Sequence, residues 1–340
     1  MLEATIAGSL PKPAWLAYPE ELWAAWRLEG KELETAKHDA VRLVVADQLE
    51  AGLDIVTDGE QTRRHFVTSF IDGLDGVDFE HRTNVKIRQR YDANVPRVVG
   101  EVARTRPVYV DDARYLRTLT DQPLKYQLPG PMTMVDTLAD EHYRDRETLA
   151  MAFASILNDE ARELVAAGVD IIQFDEPAFN VYMDDVGAWG ITALDKAAEG
   201  LDAKTAVHIC YGYGIAANIE WKHGLGDQWR QYESTFPLIA ASSIDQVSLE
   251  LANSHVPAEL IGLLDGKDVM AGVIDVATDR IEAPEEVATT IRQAMEYVAP
   301  EKLFPCTNCG MVPLSADVAR AKLRALGAGA AIVRMELGQQ

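Results

Sequence analysis

Four side chains that bind soft or borderline metal ions follow short apolar segments of this sequence: His208, Cys210, Glu250 and Cys309. Thiolate, imidazole and carboxylate groups are the ligands that zinc binds in tetrahedral geometry. Because residues i and i+2 of a strand point to the same side, His208 and Cys210 can reach one ion. The other two residues follow different strands, so only the folded chain can complete the set. We therefore predict a four-ligand Zn²⁺ site of the kind that holds a substrate thiol.

A second cysteine close to the last ligand offers an alternative, because Cys306 lies just before Cys309 in the same segment. The Asn-Cys-Gly context favours Cys309, since glycine lets the backbone bend directly after the ligand. We expect Cys306 to lie in the core or behind the ligands. A His-x-Cys pair alone is equally typical of a buried structural pair, so the metal prediction depends on several strand ends converging.

Two acidic residues, Glu60 and Asp175, also follow apolar strand-like segments. A carboxylate buried at such a position is unfavourable unless it has a partner. One interpretation is that each acid caps the helix that follows it. The functional interpretation is that together they bind a cationic group, such as the ammonium of an amino acid. Ser9 and the backbone amides around Gly8 would then bind the carboxylate of the same ligand.

The elements that position these residues alternate between short β-rich segments and longer helical patterns. The segment 146–167, for example, carries its apolar residues at the spacing of an amphipathic helix. We predict helices at 34–51, 146–167, 256–264, 284–298 and 314–326. We predict strands at 3–9, 54–60, 124–129, 170–175, 205–210, 245–250, 268–275 and 302–308.

Eight strands with helical crossovers imply a parallel sheet, and this number closes into a single (β/α)8 TIM barrel of the α/β class. The segment 70–120 is longer than a normal crossover, and we expect an excursion that contains a small hairpin. No Pro/Gly-rich linker divides the sequence, so residues 1–340 are predicted to form one catalytic zinc-binding domain. All candidate residues follow predicted strands, which is where barrel enzymes carry their active sites.

Composition excludes several classes of partner. The net charge of -22 argues against nucleic acid and anionic membranes, which bind basic surfaces. No segment reaches the roughly 18 apolar residues of a membrane span, and the N-terminus lacks the pattern of a secretory signal. Three cysteines favour reduced thiols or a metal site over a disulfide framework. These features predict a cytoplasmic protein.

One glycine-rich segment, 212–217, follows a predicted strand and imitates a dinucleotide-binding fingerprint. A lone fingerprint is weak evidence, and this one directly follows two metal-type residues. The sequence contains no second nucleotide-binding half, so we do not predict a nicotinamide site. The six histidines other than His208 lie mostly in charged or loop contexts, where solvated or hydrogen-bonding roles are expected.

Several sequence blocks resemble the catalytic, C-terminal barrel of cobalamin-independent methionine synthase, within the uroporphyrinogen-decarboxylase-like group of barrels. The resemblance extends from Ala7-Gly8-Ser9-Leu10-Pro11 to Cys309-Gly310, nearly the whole chain. Blocks between these limits that match are Gly52-Leu53-Asp54, Asp58-Gly59-Glu60, Pro129-Gly130-Pro131-Met132-Thr133 and Asp170–Ala178. A (β/α)8 fold and a methyltransferase activity are what the resemblance implies.

The resemblance also assigns roles to individual positions. It implies homocysteine binding at Ala7, Gly8, Ser9, Glu60 and Asp175, and zinc binding at His208, Cys210, Glu250 and Cys309. The segment between Cys210 and Glu250 is longer than the family pattern leads us to expect. Glu250 is preferred as the carboxylate ligand because it ends the predicted strand 245–250, and Glu233 is the alternative.

Departures from the family concern the side of the site that would receive the methyl donor. The tryptophan that stacks on the pterin is replaced near Asp136-Thr137, and a folate-contacting glutamate is Val181. The catalytic histidine is Ala277, which leaves Asp275 as a candidate acid. An arginine that precedes the central hairpin has no evident counterpart. Full-length members of the family also carry an N-terminal barrel, and this sequence has no counterpart of it.

The resemblance therefore implies a zinc-dependent methyltransferase that converts homocysteine to L-methionine. A methyl-corrinoid donor needs no acid for its leaving group, so we expect a corrinoid protein or a methylfolate used with an accessory protein. A rival activity is alkyl transfer to another thiol such as coenzyme M, although a sulfonate favours basic residues over Glu60 and Asp175. A porphyrin decarboxylase of the same fold needs no zinc, and a zinc-stabilised scaffold or methionine-binding module is the non-enzymatic alternative.

Overall fold

The computed structural model describes residues 1–18 and 23–338. Over these residues the strands, in chain order, are β1 (Asp75–Ile87), β2 (Tyr91–Ala103), β3 (Lys125–Pro129), β4 (Ala139–Asp140), β5 (Ile171–Asp175), β6 (Lys204–Ile209), β7 (Gln246–Glu250), β8 (Asp268–Ile274) and β9 (Leu303–Thr307). The α-helices are α1 (Gly30–Glu50), α2 (Thr68–Ile71), α3 (Val110–Arg117), α4 (Pro131–Asp136), α5 (Arg146–Ala166), α6 (Met183–Asp185), α7 (Ile191–Ala198), α8 (Ala216–His223), α9 (Tyr232–Ala240), α10 (Pro284–Met295) and α11 (Ala316–Glu336). Short 3-10 segments cover Pro177–Asn180, Ala258–Leu263 and Pro300–Lys302, and a π segment covers Val186–Gly190.

The central sheet consists of parallel strands in the order β3-β5-β6-β7-β8-β9. All residues of β3, β5, β7 and β9 are buried, because helices cover one face of the sheet and interior side chains fill the other. The predicted α/β fold with a parallel sheet is therefore confirmed. Five of these strands lie within segments for which the sequence predicts a strand, and β6 begins one residue before the predicted strand 205–210.

Two predicted strands, 3–9 and 54–60, lack regular strand pairing but occupy the expected places. Backbone hydrogen bonds run from Thr5 N to the Pro305 oxygen (3.0 Å), from Asp54 N to the Ala4 oxygen (3.0 Å) and from Lys125 N to the Val56 oxygen (2.9 Å). The two segments thus connect β9 at one edge of the sheet with β3 at the other. This arrangement brings the C-terminal ends of 3–9 and 54–60 to the same edge as the ends of the six strands.

The predicted excursion is an antiparallel hairpin of β1 and β2, with β4 added parallel to β2. Each hairpin strand has 13 residues, so the hairpin is larger than the small one expected. Its tip turns at Arg88 and Gln89, which have φ values of 46° and 56°. The tip reaches back to the sheet, where Arg90 Nη1 donates to the Tyr211 oxygen at 3.0 Å.

A buried carboxylate fixes the chain where it returns from the hairpin to the central sheet. Glu160 of α5 is fully buried and accepts hydrogen bonds from Arg104 Nε (2.5 Å), Val108 N (3.1 Å) and Tyr109 N (2.6 Å). Arg104 also contacts Glu163, whose side chain is 44% exposed. The segment between β2 and α3 is therefore held to α5 by one residue.

We expect Glu160→Ala to destabilise the protein by about 3–5 kcal/mol, because it leaves a buried guanidinium and two amides without their acceptor. Glu163→Ala is the matched control and should cost at most about 1 kcal/mol, since that carboxylate is largely solvated. Urea unfolding followed by circular dichroism measures both. Equal effects of the two substitutions would contradict the role given to Glu160.

Candidate metal and substrate site

The site begins with one row of residues that the parallel register places side by side. Asp175 of β5 pairs with His208 of β6, and His208 pairs with Ser248 of β7. His208 Nδ1 lies 2.7 Å from Ser248 Oγ, which fixes the plane of the imidazole. The other ring nitrogen, Nε2, is buried and has no hydrogen-bond partner among the described residues.

Two sulfur atoms lie beside this imidazole. Cys210 Sγ and Cys309 Sγ are 3.1 Å apart, and both residues are buried. Together with His208 they offer ligand atoms that all lie within 4.8 Å of one another. The hydrogen bond from the Cys309 thiol lowers the pKa of Cys210 well below its ordinary value, and the same contact raises the pKa of Cys309.

Cys309 is held in place by its neighbours in sequence. Thr307 Oγ1 donates to the Cys309 oxygen at 2.9 Å and accepts from Ala7 N at 2.9 Å. Asn308 Oδ1 accepts from Leu251 N at 3.0 Å, which ties this loop to the end of β7. A Cβ at Gly310 would collide with the Ser9 hydroxyl, so this position needs glycine for close packing. The preference for Cys309 on the ground of its following glycine therefore has a structural basis.

The three grouped residues fit a zinc ion. A buried imidazole nitrogen without a partner and two thiols, one of them readily ionised, are the donor set that zinc prefers. The alternative cysteine lies elsewhere: Cys306 is buried with Ile55, Met270 and Phe304 in a separate apolar cluster. His208, Cys210 and Cys309 would hold such an ion.

The fourth predicted ligand, Glu250, ends β7 as expected but lies outside this group. Its Oε1 accepts from Lys222 Nζ at 2.6 Å, and its Oε2 accepts from Tyr211 N at 3.0 Å. The alternative, Glu233, lies on α9 in a surface ion pair with Arg230. Glu250 is thus the better placed of the two carboxylates, and its role as a ligand stays a prediction.

All five predicted substrate-binding residues border one cleft together with the three grouped residues. These residues are Ala7, Gly8, Ser9, Glu60 and Asp175. A Cβ at Gly8 would lie 3.0 Å from Glu60 Oε1 and 2.9 Å from Gln127 Cγ, so a side chain there would displace the acid. Ser9 Oγ lies 3.4 Å from the hydroxyl of Tyr213 on the opposite wall.

Burial sets the ionisation of the two acids in the cleft. It raises the pKa of Glu60 to about 7, an effect that the nearby Arg63 guanidinium opposes. Burial also raises the pKa of Asp175 to about 6, against the effect of His208. Asp175 Oδ1 accepts from Gln173 Nε2 at 2.8 Å, so it is oriented within the wall. A cationic ligand group would favour the ionised form of both acids.

The hairpin tip supplies cleft residues that sequence reasoning missed: Arg88, Arg90 and Tyr91. Arg90 stacks on Trp221, with its guanidinium carbon 3.5 Å from the ring centroid, and also donates to Asn218 Oδ1 at 3.2 Å. The arginines lie at the tip of the hairpin, and only the prediction of a hairpin within 70–120 pointed there. Their side chains reach the cleft because the hairpin folds back over the end of β6.

Sequence reasoning also missed two other residues that border the cleft, His65 and Tyr213. His65 lines the cleft, and its Nδ1 accepts from Thr68 N at 3.4 Å, in keeping with the hydrogen-bonding role expected of it. Burial lowers the pKa of His65 to about 3, so the ring is neutral. The glycine-rich segment that imitates a nucleotide fingerprint contributes Tyr213, whose oxygen accepts from Asn218 Nδ2 at 3.0 Å. That segment is a wall of the cleft.

The candidate acid Asp275 is buried but is not among the residues that border the cleft. Its carboxylate accepts from Asn253 Nδ2 at 2.8 Å, from Ala277 N at 2.8 Å and from Thr278 Oγ1 at 3.2 Å. These bonds order the loop after β8, and a catalytic role for Asp275 stays a prediction. A Cβ at Gly214 would lie 2.6 Å from Ala277 Cα, so the segment after β6 packs directly on the position of the family's histidine.

Fold and cleft define an α/β enzyme with its site at the carboxyl ends of parallel strands. The chain belongs to the family described as the cobalamin-independent synthase catalytic domain, which matches residues 2–331. Its relatives are methionine synthases, which makes it a member of a methyltransferase family. None of the helices in the described residues has the length and apolar composition that a membrane span needs.

Three similar proteins illustrate the relationship. Methionine synthase of Saccharolobus solfataricus is 33% identical over 341 residues, covering 99% of this chain and 96% of that protein. Methionine synthase of Sulfolobus acidocaldarius is 32% identical over 339 residues, covering 99% and 94%. A B12-independent methionine synthase from Shewanella sp. W3-18-1, solved in complex with selenomethionine, is 64% identical with a TM-score of 0.98 and 99% coverage of both chains.

Proposed function

We propose that this chain is a zinc-dependent methyltransferase that converts homocysteine to L-methionine. The observation that carries the proposal is a single cleft that joins the His208, Cys210 and Cys309 group to the acids Glu60 and Asp175. The sulfur and imidazole groups of this cleft suit a thiol and its carboxylates suit an ammonium, as a sulfur-containing amino acid requires. The Shewanella relative, solved with selenomethionine, supports the same ligand class.

The protein's own groups would orient the amino acid. Glu60 and Asp175 would bind its ammonium through charge-assisted hydrogen bonds, and Ser9 with the backbone amides around Gly8 would bind its carboxylate. This arrangement aims the side chain of the ligand at the sulfur atoms of Cys210 and Cys309. Because alignment of the reacting atoms contributes several kcal/mol to a displacement reaction, such orientation matters for methyl transfer.

Zinc at His208, Cys210 and Cys309 would lower the pKa of the homocysteine thiol and make it nucleophilic at neutral pH. The cleft residues would exclude water from the sulfur and hold it in line with the donor's methyl group. The two acids also disfavour a sulfonate such as coenzyme M, since like charges would meet. Methylation of homocysteine is therefore the activity that the charges of the cleft favour.

The residues at the positions that would contact the methyl donor support a donor other than free methylfolate. Thr137, directly after α4, donates from its Oγ1 to the Thr133 oxygen at 2.7 Å and offers no aromatic ring on which a pterin could stack. Asp136 accepts from the Arg88 amide at 3.2 Å and from the Tyr182 hydroxyl at 2.6 Å, which closes the neighbouring space. With Ala277 in place of an acid, a methyl-corrinoid protein, or a methylfolate used with an accessory protein, is the proposed donor.

We expect the purified protein to bind about one zinc ion per chain, as the donor set predicts. Cys210→Ser and Cys309→Ser should lose most of it, because a hydroxyl is a poor substitute for thiolate. Cys306→Ser is the matched control and should keep its zinc, since that sulfur lies in the apolar cluster. Elemental analysis after dialysis against a chelator measures the content. Full zinc retention in both ligand variants would refute the assignment.

Methionine should bind more tightly as the pH rises from 6 to 8, because Glu60, with its pKa raised to about 7, ionises over this range. Glu60→Gln should bind about tenfold more weakly at pH 8 and lose most of the pH dependence. Asp112 is another acid whose pKa is raised by burial, but it lies outside the cleft. The control Asp112→Asn should therefore change neither the affinity for methionine nor its pH dependence. Calorimetric titration tests this, and an unchanged profile in Glu60→Gln would exclude an ammonium at this position.

The isolated protein should transfer methyl groups poorly from methylfolate, because general acid catalysis normally contributes about 10²–10⁴-fold and Ala277 supplies no acid. Offering methylfolate and methylcobalamin in parallel, with homocysteine as acceptor, measures the preference. Rapid turnover with methylfolate alone would show that another group, such as Asp275 or a bound water, delivers the proton.

A further inference from the structure

Two fully buried glutamines lie side by side beneath the residues that would bind the amino acid. Gln127 of β3 pairs in register with Gln173 of β5. Gln173 Nε2 donates to the Ala7 oxygen at 2.6 Å, and the side chain of Gln127 packs against Gly8. Both glutamines therefore support the segment whose backbone amides would bind the ligand's carboxylate.

The two side chains differ in their hydrogen bonds. Gln173 Nε2 also donates to Asp175 Oδ1 at 2.8 Å, so this glutamine holds one of the two acids of the cleft in place. Gln127 has no such bond, because its Nε2 and Oε1 are both buried without a partner among the described residues. A buried carboxamide without hydrogen bonds is unfavourable, so the position of this group calls for an explanation.

Glu60, the other acid, has the complementary need. Its backbone is fixed in the left-handed region with a φ of 56°, and its amide donates to Asp58 Oδ1 at 2.9 Å. Its carboxylate accepts no hydrogen bond from the part of the chain that the structure describes. The backbone of Glu60 is thus held firmly, while the end of its side chain has no protein partner.

Gly8 allows these two groups to approach each other. A Cβ built on Gly8 would lie 3.0 Å from Glu60 Oε1 and 3.1 Å from Gln127 Cδ, so both side chains lie against the same face of this glycine. The last torsion of a glutamine or glutamate side chain is soft, and a rotation there can bring the amide to the carboxylate at little cost. A donor and an acceptor that both lack partners are therefore close neighbours.

We propose that Gln127 is a positioning residue for Glu60: when an amino acid binds, Gln127 Nε2 donates to the Glu60 carboxylate and holds it towards the ligand's ammonium. Gln173 has the same contact with Asp175 before any ligand arrives. Each acid then has one glutamine partner, and its remaining acceptor positions serve the ammonium. The inference rests on the proposed function, because it assumes that the ammonium lies between these two acids.

The test is calorimetric titration of L-methionine into Gln127→Met between pH 5 and pH 8. The new side chain has a similar length but no N–H donor. At pH 8, where Glu60 is ionised, binding should be about tenfold weaker, because a hydrogen bond to a charged group is lost. The loss should shrink towards pH 5, since a protonated Glu60 does not depend on this donor. A merely structural glutamine would weaken binding equally at every pH.

Gln246→Met is the matched control. Gln246 is also a buried glutamine whose Oε1 lacks a partner among the described residues, but it begins β7, at the end of the strand away from the cleft. Its substitution should leave the affinity for L-methionine and its pH dependence unchanged. If Gln246→Met reproduces the effect of Gln127→Met, the proposal fails.

Gln127→Glu serves where Gln127→Met does not fold. An ionised carboxylate donates no proton and adds a like charge beside Glu60, so the loss at pH 8 should exceed tenfold and shrink as the pH falls. An unchanged affinity in either Gln127 variant, or a loss that is equal at every pH, would overturn the proposal. Full affinity for L-methionine in Glu60→Gln would instead reject the ammonium at Glu60, and with it this part of the proposed function.

Discussion

The candidate site depends on the register of three parallel strands. Because β5, β6 and β7 pair without a slip, Asp175, His208 and Ser248 stand in one row at the edge of the sheet. A shift of β6 by one residue would turn the imidazole to the opposite face and separate it from its serine. The position of Cys210, two residues further on, depends on the same register. The fold therefore specifies both the imidazole and the first sulfur through backbone hydrogen bonds.

The ionisable groups of the cleft are buried, and this burial determines which ligands they favour. Burial raises the pKa of Glu60 to about 7 and that of Asp175 to about 6, and a cationic partner would favour the ionised form of both acids. In the same cleft, a buried thiol pair and an imidazole nitrogen without a partner among the described residues favour a metal cation. Glu250, at the end of β7, has its charge paired with Lys222. A sulfur-containing amino acid, the proposed ligand, would complement these charges.

Sequence patterns predicted the central sheet, and eight of the predicted site residues border one cleft, because both depend on local features. Alternating apolar segments located the six paired strands, and the residues after them converge because parallel strands end at one edge. The partner of Glu250 was beyond such reasoning, since α9 and the loops on either side of it separate Lys222 from Glu250 along the chain. The arginines of the hairpin tip were missed for the same reason. Nothing in the local pattern shows that the tip returns to Tyr211.

Helix ends show another limit. The last helix was predicted to end at 326 but continues through Gly327 and Gly329 to Glu336. A Cβ at Gly327 would collide with the Ala51 oxygen, and one at Gly329 would lie 2.5 Å from Val287. These glycines permit close packing against the end of α1 and against α10, so they do not end the helix. The predicted helix at 256–264 is a 3-10 segment, Ala258–Leu263, in the structure.

The central claim is that His208, Cys210 and Cys309 hold a zinc ion which receives the substrate's sulfur. Zinc-edge X-ray absorption of the purified protein, before and after addition of homocysteine, measures this directly. The account predicts two sulfur neighbours around zinc in the free protein and three once homocysteine is bound. An unchanged sulfur count after saturation with homocysteine would contradict it.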